Sequence, residues 1–117
     1  MTMAAPIEIK APSSKSVSHR AFICAALAEG ESLVVDALES DDLIRTHRCL
    51  TACGASFRMG ARGWEITGLS GGPRGGLETP ADCNVGESGT TCRLLTAVLA
   101  AGTGRFRVHG EGRMHER

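Results

Sequence analysis

An α/β fold with helices packed on sheet is predicted by three observations. Strand-type and helix-type patterns alternate along the chain, in the order β-α-β-α-β-β and then β-α-β. Capping serines open each helical stretch and glycines stop it. The length, 117 residues, and a 42% hydrophobic content suit one domain with a real core.

Residues 6–11 read as a short strand, because Ile7 and Ile9 alternate with Glu8 and Lys10 before Pro12 ends the run. Ser13 or Ser14 can cap a helix over residues 15–28, with Gly30 as its stop and Val17, Ala21, Cys24, Ala25 and Ala28 as its apolar stripe. Residues 32–37 carry Leu33-Val34-Val35, a buried strand. Ser40 caps a second helix whose first turn holds Asp41 and Asp42, where carboxylates suit the helix dipole. Leu43, Leu50 and Cys53 face inward, and Gly54 closes it. Two strands at 55–59 and 64–67 flank Gly60-Ala61-Arg62-Gly63, a hairpin with suitable turn chemistry. A Gly/Pro loop follows at 68–76, then a weak strand at 81–85, a helix at 88–101 and a last strand at 105–109. Residues 110–117 read as a polar tail.

Composition narrows the function. Thirteen basic and thirteen acidic residues cancel, and aromatics are 3%, which argues against a nucleic-acid platform or a membrane-surface helix. The apolar runs are too short to span a bilayer, and no secretory leader is apparent, so a cytoplasmic protein is expected. Five cysteines, at 24, 49, 53, 83 and 92, are an odd count that fits buried reduced thiols. Cys49 and Cys53 share a helix face, but no CxxC or HxxxH motif completes a metal site, and none is expected.

Three stretches could carry chemistry. Ser14-Lys15-Ser16-Val17-Ser18-His19-Arg20 opens a helix after a strand and a proline. Free N–H groups and the dipole there attract an anion, and Ser16 and Arg20 lie one turn apart beside Lys15. A capping serine with solvated basic residues explains the same spacing, and His19 reads as structural or exposed. Gly86-Glu87-Ser88-Gly89-Thr90-Thr91-Cys92-Arg93 repeats the design, with Gly89 permitting close approach to backbone. It lacks P-loop spacing, and an ordinary cap at Ser88 is the plainer alternative. Gly112-Arg113-Met114-His115-Glu116-Arg117, alone, reads as a solvated charged end.

Together these stretches resemble a known family. APSSKSVSHRAFICAALAEGES resembles the N-terminal signature, PGSKSxSxR, of the enolpyruvyl transferases that make 5-enolpyruvylshikimate 3-phosphate. ALESDDLIRTHRCLTACGASF, ESGTTCRLL and GEGRMHER are similar to that family's next three blocks, in order and spacing. The resemblance implies a fold of βαβαββ units and transfer of the enolpyruvyl group of phosphoenolpyruvate to the 5-hydroxyl of shikimate 3-phosphate, releasing phosphate. It implies no cofactor and no metal, and a parent that is a monomer. Residue by residue, it implies that Lys15, Gly89, Arg93 and Arg117 meet phosphoenolpyruvate, with Lys15 also at the reacting centre. Ser16 and Arg20 would hold the shikimate part.

The sequence departs from the pattern at Glu87, where the family often has Asn, at Leu94 in place of Pro, and at Gly112 in place of Pro. Length is the largest departure, since the family has two domains of three units each. The resemblance therefore implies an N-terminal piece. Residues 1–12 would be a strand pairing with the other domain, 13–68 a first unit, 69–76 a loop, and 77–117 the opening of a second unit. Such a piece is expected to be inactive alone and prone to self-association. The rivals are the sister family acting on UDP-N-acetylglucosamine and a free-standing anion-binding or interaction domain.

Overall fold

Three serines in extended backbone start the three helices. Ser14, Ser40 and Ser88 each accept a hydrogen bond from the backbone N–H three residues on, at Val17, Leu43 and Thr91. The computed structural model describes residues 4–117, and in it these caps open α1 (Lys15–Leu27), α2 (Asp41–Ala52) and α3 (Gly89–Ala100). The strands are β1 (Glu31–Val34), β2 (Ser56–Met59), β3 (Trp64–Thr67), β4 (Ala81–Asn84) and β5 (Phe106–His109). A 3-10 turn, Gly112–Glu116, follows β5.

β1, β3 and β2 form an antiparallel sheet in that order, with Ile66 of β3 opposite both Ser32 and Phe57. The hairpin between β2 and β3 closes through a bond from Gly60 N–H to the Gly63 carbonyl at 2.9 Å. β4 and β5 pair in parallel, Cys83 opposite Val108, with α3 as the crossover between them. The core lies between α1, α2 and the three-stranded sheet and continues through α2 to β4 and α3. Phe22, Leu50, Ile66 and Leu95 are its largest apolar members. Burial of each such side chain is worth about 1.5–3 kcal/mol. The α/β class predicted from the alternating pattern holds.

Four expectations are corrected. Residues 6–11 form no strand. They run extended with Ile7 and Ile9 88% and 84% exposed, because no described residue offers them a ladder of backbone partners. The buried face of α1 is Ser18, His19, Phe22, Ile23, Ala25 and Ala26, whereas Val17 and Cys24 are exposed. The polar residues of the helix crowd its first turns and residues 21–27 are all apolar, so periodicity could not choose between faces. β1 is not the buried strand expected, since Leu33 and Val35 are exposed, and it stops at Val34 because Asp36 adopts a left-handed φ of 56° that an extended ladder cannot continue. The predicted polar tail is folded, with Met114 packed on the core and Glu111 N–H bonded to the Gly86 carbonyl at 3.0 Å.

The thiols are free, as expected, but not uniformly buried. Cys49, Cys53 and Cys83 gather between α2 and β4, with the Cys53 and Cys83 sulfurs 3.7 Å apart. The thiol contact with Cys83, and then burial, push Cys49 and Cys53 above the ordinary thiol range, which keeps both protonated.

Candidate functional site

The N-terminal ends of α1, α2 and α3 and the C-terminal turn open on one polar cavity of about 720 Å³. Lys15 enters from the first residue of α1, and Asp41, Asp42, Arg45 and Arg48 from one face of α2. Glu87, Ser88, Gly89, Thr90 and Arg93 come from the entry loop and first turns of α3, and Glu111, Arg113 and Arg117 from the returning end. The wall thus carries six cations and four carboxylates.

Three of those cations are already paired. Lys15 Nζ lies 2.9 Å from Asp42 Oδ2, Arg45 Nη2 3.4 Å from Glu111 Oε2, and Arg113 Nε 3.3 Å from Glu87 Oε2. Arg48, Arg93 and Arg117 form no ion pair with a described residue. Their guanidinium groups are therefore available to an anion from outside, and guanidinium matches carboxylate and phosphate in two-pronged geometry.

Gly89 lies between two of them. A Cβ placed there would stand 2.8 Å from Arg117 Nη1 and 3.1 Å from Arg93 Nη1. Glycine thus lets both guanidiniums close over the first N–H groups of α3. Ser88 takes up the N–H of Thr91, so the N–H groups at the tip of the helix stay directed at the cavity.

The paired residues shape this site. Glu87, the odd carboxylate beside an anion site, reaches Arg113 and so ties the entry of α3 to the C-terminal turn that carries Arg117. Asn84 Nδ2 donates to Glu111 Oε1 at 2.8 Å, and this bond, with Arg45 beside it, holds the Glu111 carboxyl below its usual range. Gly86 turns the chain between β4 and α3 at φ +59°, against the Arg45 side chain.

The cavity brings together Lys15, Gly89, Arg93 and Arg117, four of the residues singled out from the sequence. Ser16 and Arg20 stand outside its lining, exposed on α1. His19 is fully buried, which resolves the open reading of that residue in favour of a structural one. Arg45 and Arg48 were missed. Their signal was present, since Asp41, Arg45 and Arg48 recur at i, i+4 and i+7 and fall on one helix face. Among the described residues no cluster of His, Cys, Asp or Glu could hold a metal ion. No described helix is long and apolar enough to cross a membrane.

Comparison with known proteins fits this geometry. Against curated sequences, the chain is 41% identical over 110 residues to a 3-phosphoshikimate 1-carboxyvinyltransferase of Paraburkholderia phymatum, covering 93% of this chain and 24% of the relative. It is 43% identical over 111 residues to the protein of the same name from Ralstonia pickettii, covering 93% and 25%. Among solved structures it is similar to the EPSP synthase of Acinetobacter baumannii, with a TM-score of 0.79 and 32% identity over 93% of this chain and 24% of that one. The chain thus spans about a quarter of the length of the curated relatives it matches. Residues 5–117 match the family described as EPSP synthase (3-phosphoshikimate 1-carboxyvinyltransferase), and with that match over nearly its whole length the chain belongs to the EPSP synthase family.

Proposed function

We propose that these 117 residues form the N-terminal quarter of a 3-phosphoshikimate 1-carboxyvinyltransferase, a cytoplasmic biosynthetic enzyme, and supply the phosphoenolpyruvate-facing wall of its active site. The observation that carries the reading is the set of uncommitted guanidiniums, Arg93 and Arg117 above all, closed around Gly89 at the tip of α3. Phosphoenolpyruvate brings a carboxylate and a phosphate on one small frame. Arg117 and the N–H groups at Gly89 take the phosphate, and Arg93 supports them electrostatically.

Lys15 has a second task. As the 5-hydroxyl of shikimate 3-phosphate gives up its proton and adds to C2 of phosphoenolpyruvate, C3 takes up a proton and a tetrahedral intermediate forms; loss of a C3 proton with departure of phosphate then restores the double bond, and negative charge gathers on the departing phosphate. An ammonium held by Asp42 at the edge of the cavity stabilises that charge and can move a proton to or from it. Ser16 and Arg20, one turn apart on α1, face the shikimate side and bind its carboxylate. No cofactor takes part. The opposite wall comes from the remaining three quarters of such an enzyme, so this chain alone turns nothing over.

A hybrid tests the reading. Residues 5–117 replace the matching quarter of the Acinetobacter baumannii enzyme, and phosphate release is followed with phosphoenolpyruvate and shikimate 3-phosphate. Turnover with shikimate 3-phosphate, lost when Arg117→Ala or Lys15→Met is added, is expected. A folded hybrid that accepts UDP-N-acetylglucosamine instead, or whose turnover survives both changes, would overturn the assignment.

A further inference from the structure

Beneath the cavity runs a buried chain of hydroxyls and one imidazole. His19 Nδ1 lies 2.8 Å from Thr46 Oγ1, Thr46 Oγ1 2.8 Å from Thr91 Oγ1, and Thr91 Oγ1 2.7 Å from Ser88 Oγ. Thr91 Oγ1 also reaches the Asp42 carbonyl at 3.2 Å. His19, Thr46 and Thr91 are fully buried, and Ser88 is nearly so. The chain joins one residue from each of the three helices that open on the cavity.

The order of protons along it follows from one obligate acceptor. The Asp42 carbonyl can only accept, so the Thr91 hydroxyl donates to it. Thr91 then has no second proton, so Thr46 and Ser88 both donate to Thr91. The single Thr46 proton is spent there, so Thr46 accepts from His19, whose proton sits on Nδ1. His19 Nε2, buried and without a partner among the described residues, is the bare nitrogen of the neutral ring. Burial favours the neutral ring as well.

The chain also closes on itself through the site. Lys15 and His19 are one turn apart on α1, and Asp42 and Thr46 one turn apart on α2. Lys15 grips the Asp42 carboxylate, while Thr91 grips the Asp42 backbone. Ser88 and Thr91 flank Gly89 in the first turn of α3. We propose that His19, Thr46 and Thr91 are positioning residues, a buried circuit that sets Lys15 of α1 and Asp42 of α2 at fixed distance from Gly89 and Arg93 of α3. The inference rests on the function proposed above and adds three residues to it that touch no substrate.

The test uses the same hybrid enzyme. Thr46→Val keeps the volume of the side chain and removes its hydroxyl, which leaves His19 Nδ1 unpaired and cuts the link from α1 and α2 to Thr91. We expect the KM for phosphoenolpyruvate to rise about tenfold, because Gly89 and Arg93 shift against the ligand, and kcat to fall as well, because Lys15 acts on the transition state. Thr46→Ser should restore it. A purely structural role would instead lower the melting temperature and leave KM unmoved. An unchanged KM in folded Thr46→Val and Thr91→Val hybrids, or no rescue by serine, would overturn the proposal. Nitrogen chemical shifts of His19 in the unsubstituted hybrid decide the proton order without any variant, and a proton on Nε2 at neutral pH would overturn it. An unsubstituted hybrid with neither turnover nor phosphoenolpyruvate binding would overturn the functional reading and this proposal with it. Full turnover alongside unmoved variants would overturn this proposal alone.

Discussion

At Gly89 a single methyl group would meet two cations. The Cβ of Gly89→Ala would press on Arg117 Nη1 at 2.8 Å and Arg93 Nη1 at 3.1 Å. The backbone there needs no glycine for its own sake, so the helix should form normally and only the guanidiniums shift. Arginine ends are flexible, and the cost falls on ligand geometry more than on folding. In the hybrid enzyme, Gly89→Ala should weaken phosphoenolpyruvate binding by about tenfold, the worth of one charged hydrogen bond. Its melting temperature should stay close to that of the parent. Titration calorimetry with phosphoenolpyruvate checks the first expectation and calorimetric melting the second; a large loss of stability with unchanged affinity would contradict both. Arg113→Ala serves as a contrast. Its pair with Glu87 is solvent-exposed and worth little to stability, so its effect should show as a looser Arg117 rather than as unfolding.

The elements differ in how far they could be read from the sequence. The three caps and the hairpin were legible because their causes are local: a serine hydroxyl three residues from the N–H it takes, or glycines where the backbone must reverse. The buried face of α1 was not legible. His19 is inside because Thr46, on another helix, gives it a partner, and nothing near His19 in the chain announces that. The folded C-terminal turn was equally hidden, since Glu87 and Arg113 meet across β5 and α3. Of the cavity, the residues on helix starts were found and those one and two turns along α2 were missed. His47 of α2 shows the same long-range logic, packed among Phe22, Phe57 and Trp64 with ring centroids 4.8–6.4 Å away. Burial, and then the Arg48 charge, lower its pKa, as burial lowers that of His19. The unfolded chain therefore binds more protons than the folded one once pH drops below about 6.5, the ordinary histidine value. Stability from this source is complete above that pH and is lost as pH falls through the window beneath it. Urea midpoints at pH 7.5 and pH 5.5 should show the fall, and His47→Phe should shrink it. An equal fall in the variant would assign the effect elsewhere.

Across the whole molecule, the radius of gyration is 17.0 Å and the longest dimension 73 Å. A closed domain of this length would have a radius of about 13 Å. The excess reflects an open layout, with residues 6–11 extended to one side and Ile7, Ile9, Val35, Met59 and Leu77 more than half exposed. Unpaired extended backbone with apolar side chains is a template for another strand. In isolation the 117-residue chain should self-associate as its concentration rises, and Ile7→Lys with Ile9→Lys should suppress this. Sedimentation velocity over a hundredfold concentration range reads the outcome. A chain that stays monomeric throughout would show that those side chains find cover within their own molecule.

Arg117 closes on Gly89 from 28 residues further along the polypeptide (117 − 89), and Lys15 of the same cavity lies 102 residues before Arg117 (117 − 15). During synthesis the residues leave the ribosome in order. The β2–β3 hairpin can zip as soon as it emerges, whereas the cavity must wait for Arg117. Joining segments about a hundred residues apart costs on the order of 4 kcal/mol in loop-closure entropy, against far less for a hairpin. Asp42 can neutralise Lys15 soon after both are made, whereas Arg45 waits for Glu111. The anion-facing wall is therefore complete only once the turn bearing Arg117 has folded back on α3. On the function proposed above, Arg117 can help hold a phosphate only after the turn that bears it has been released and folded back.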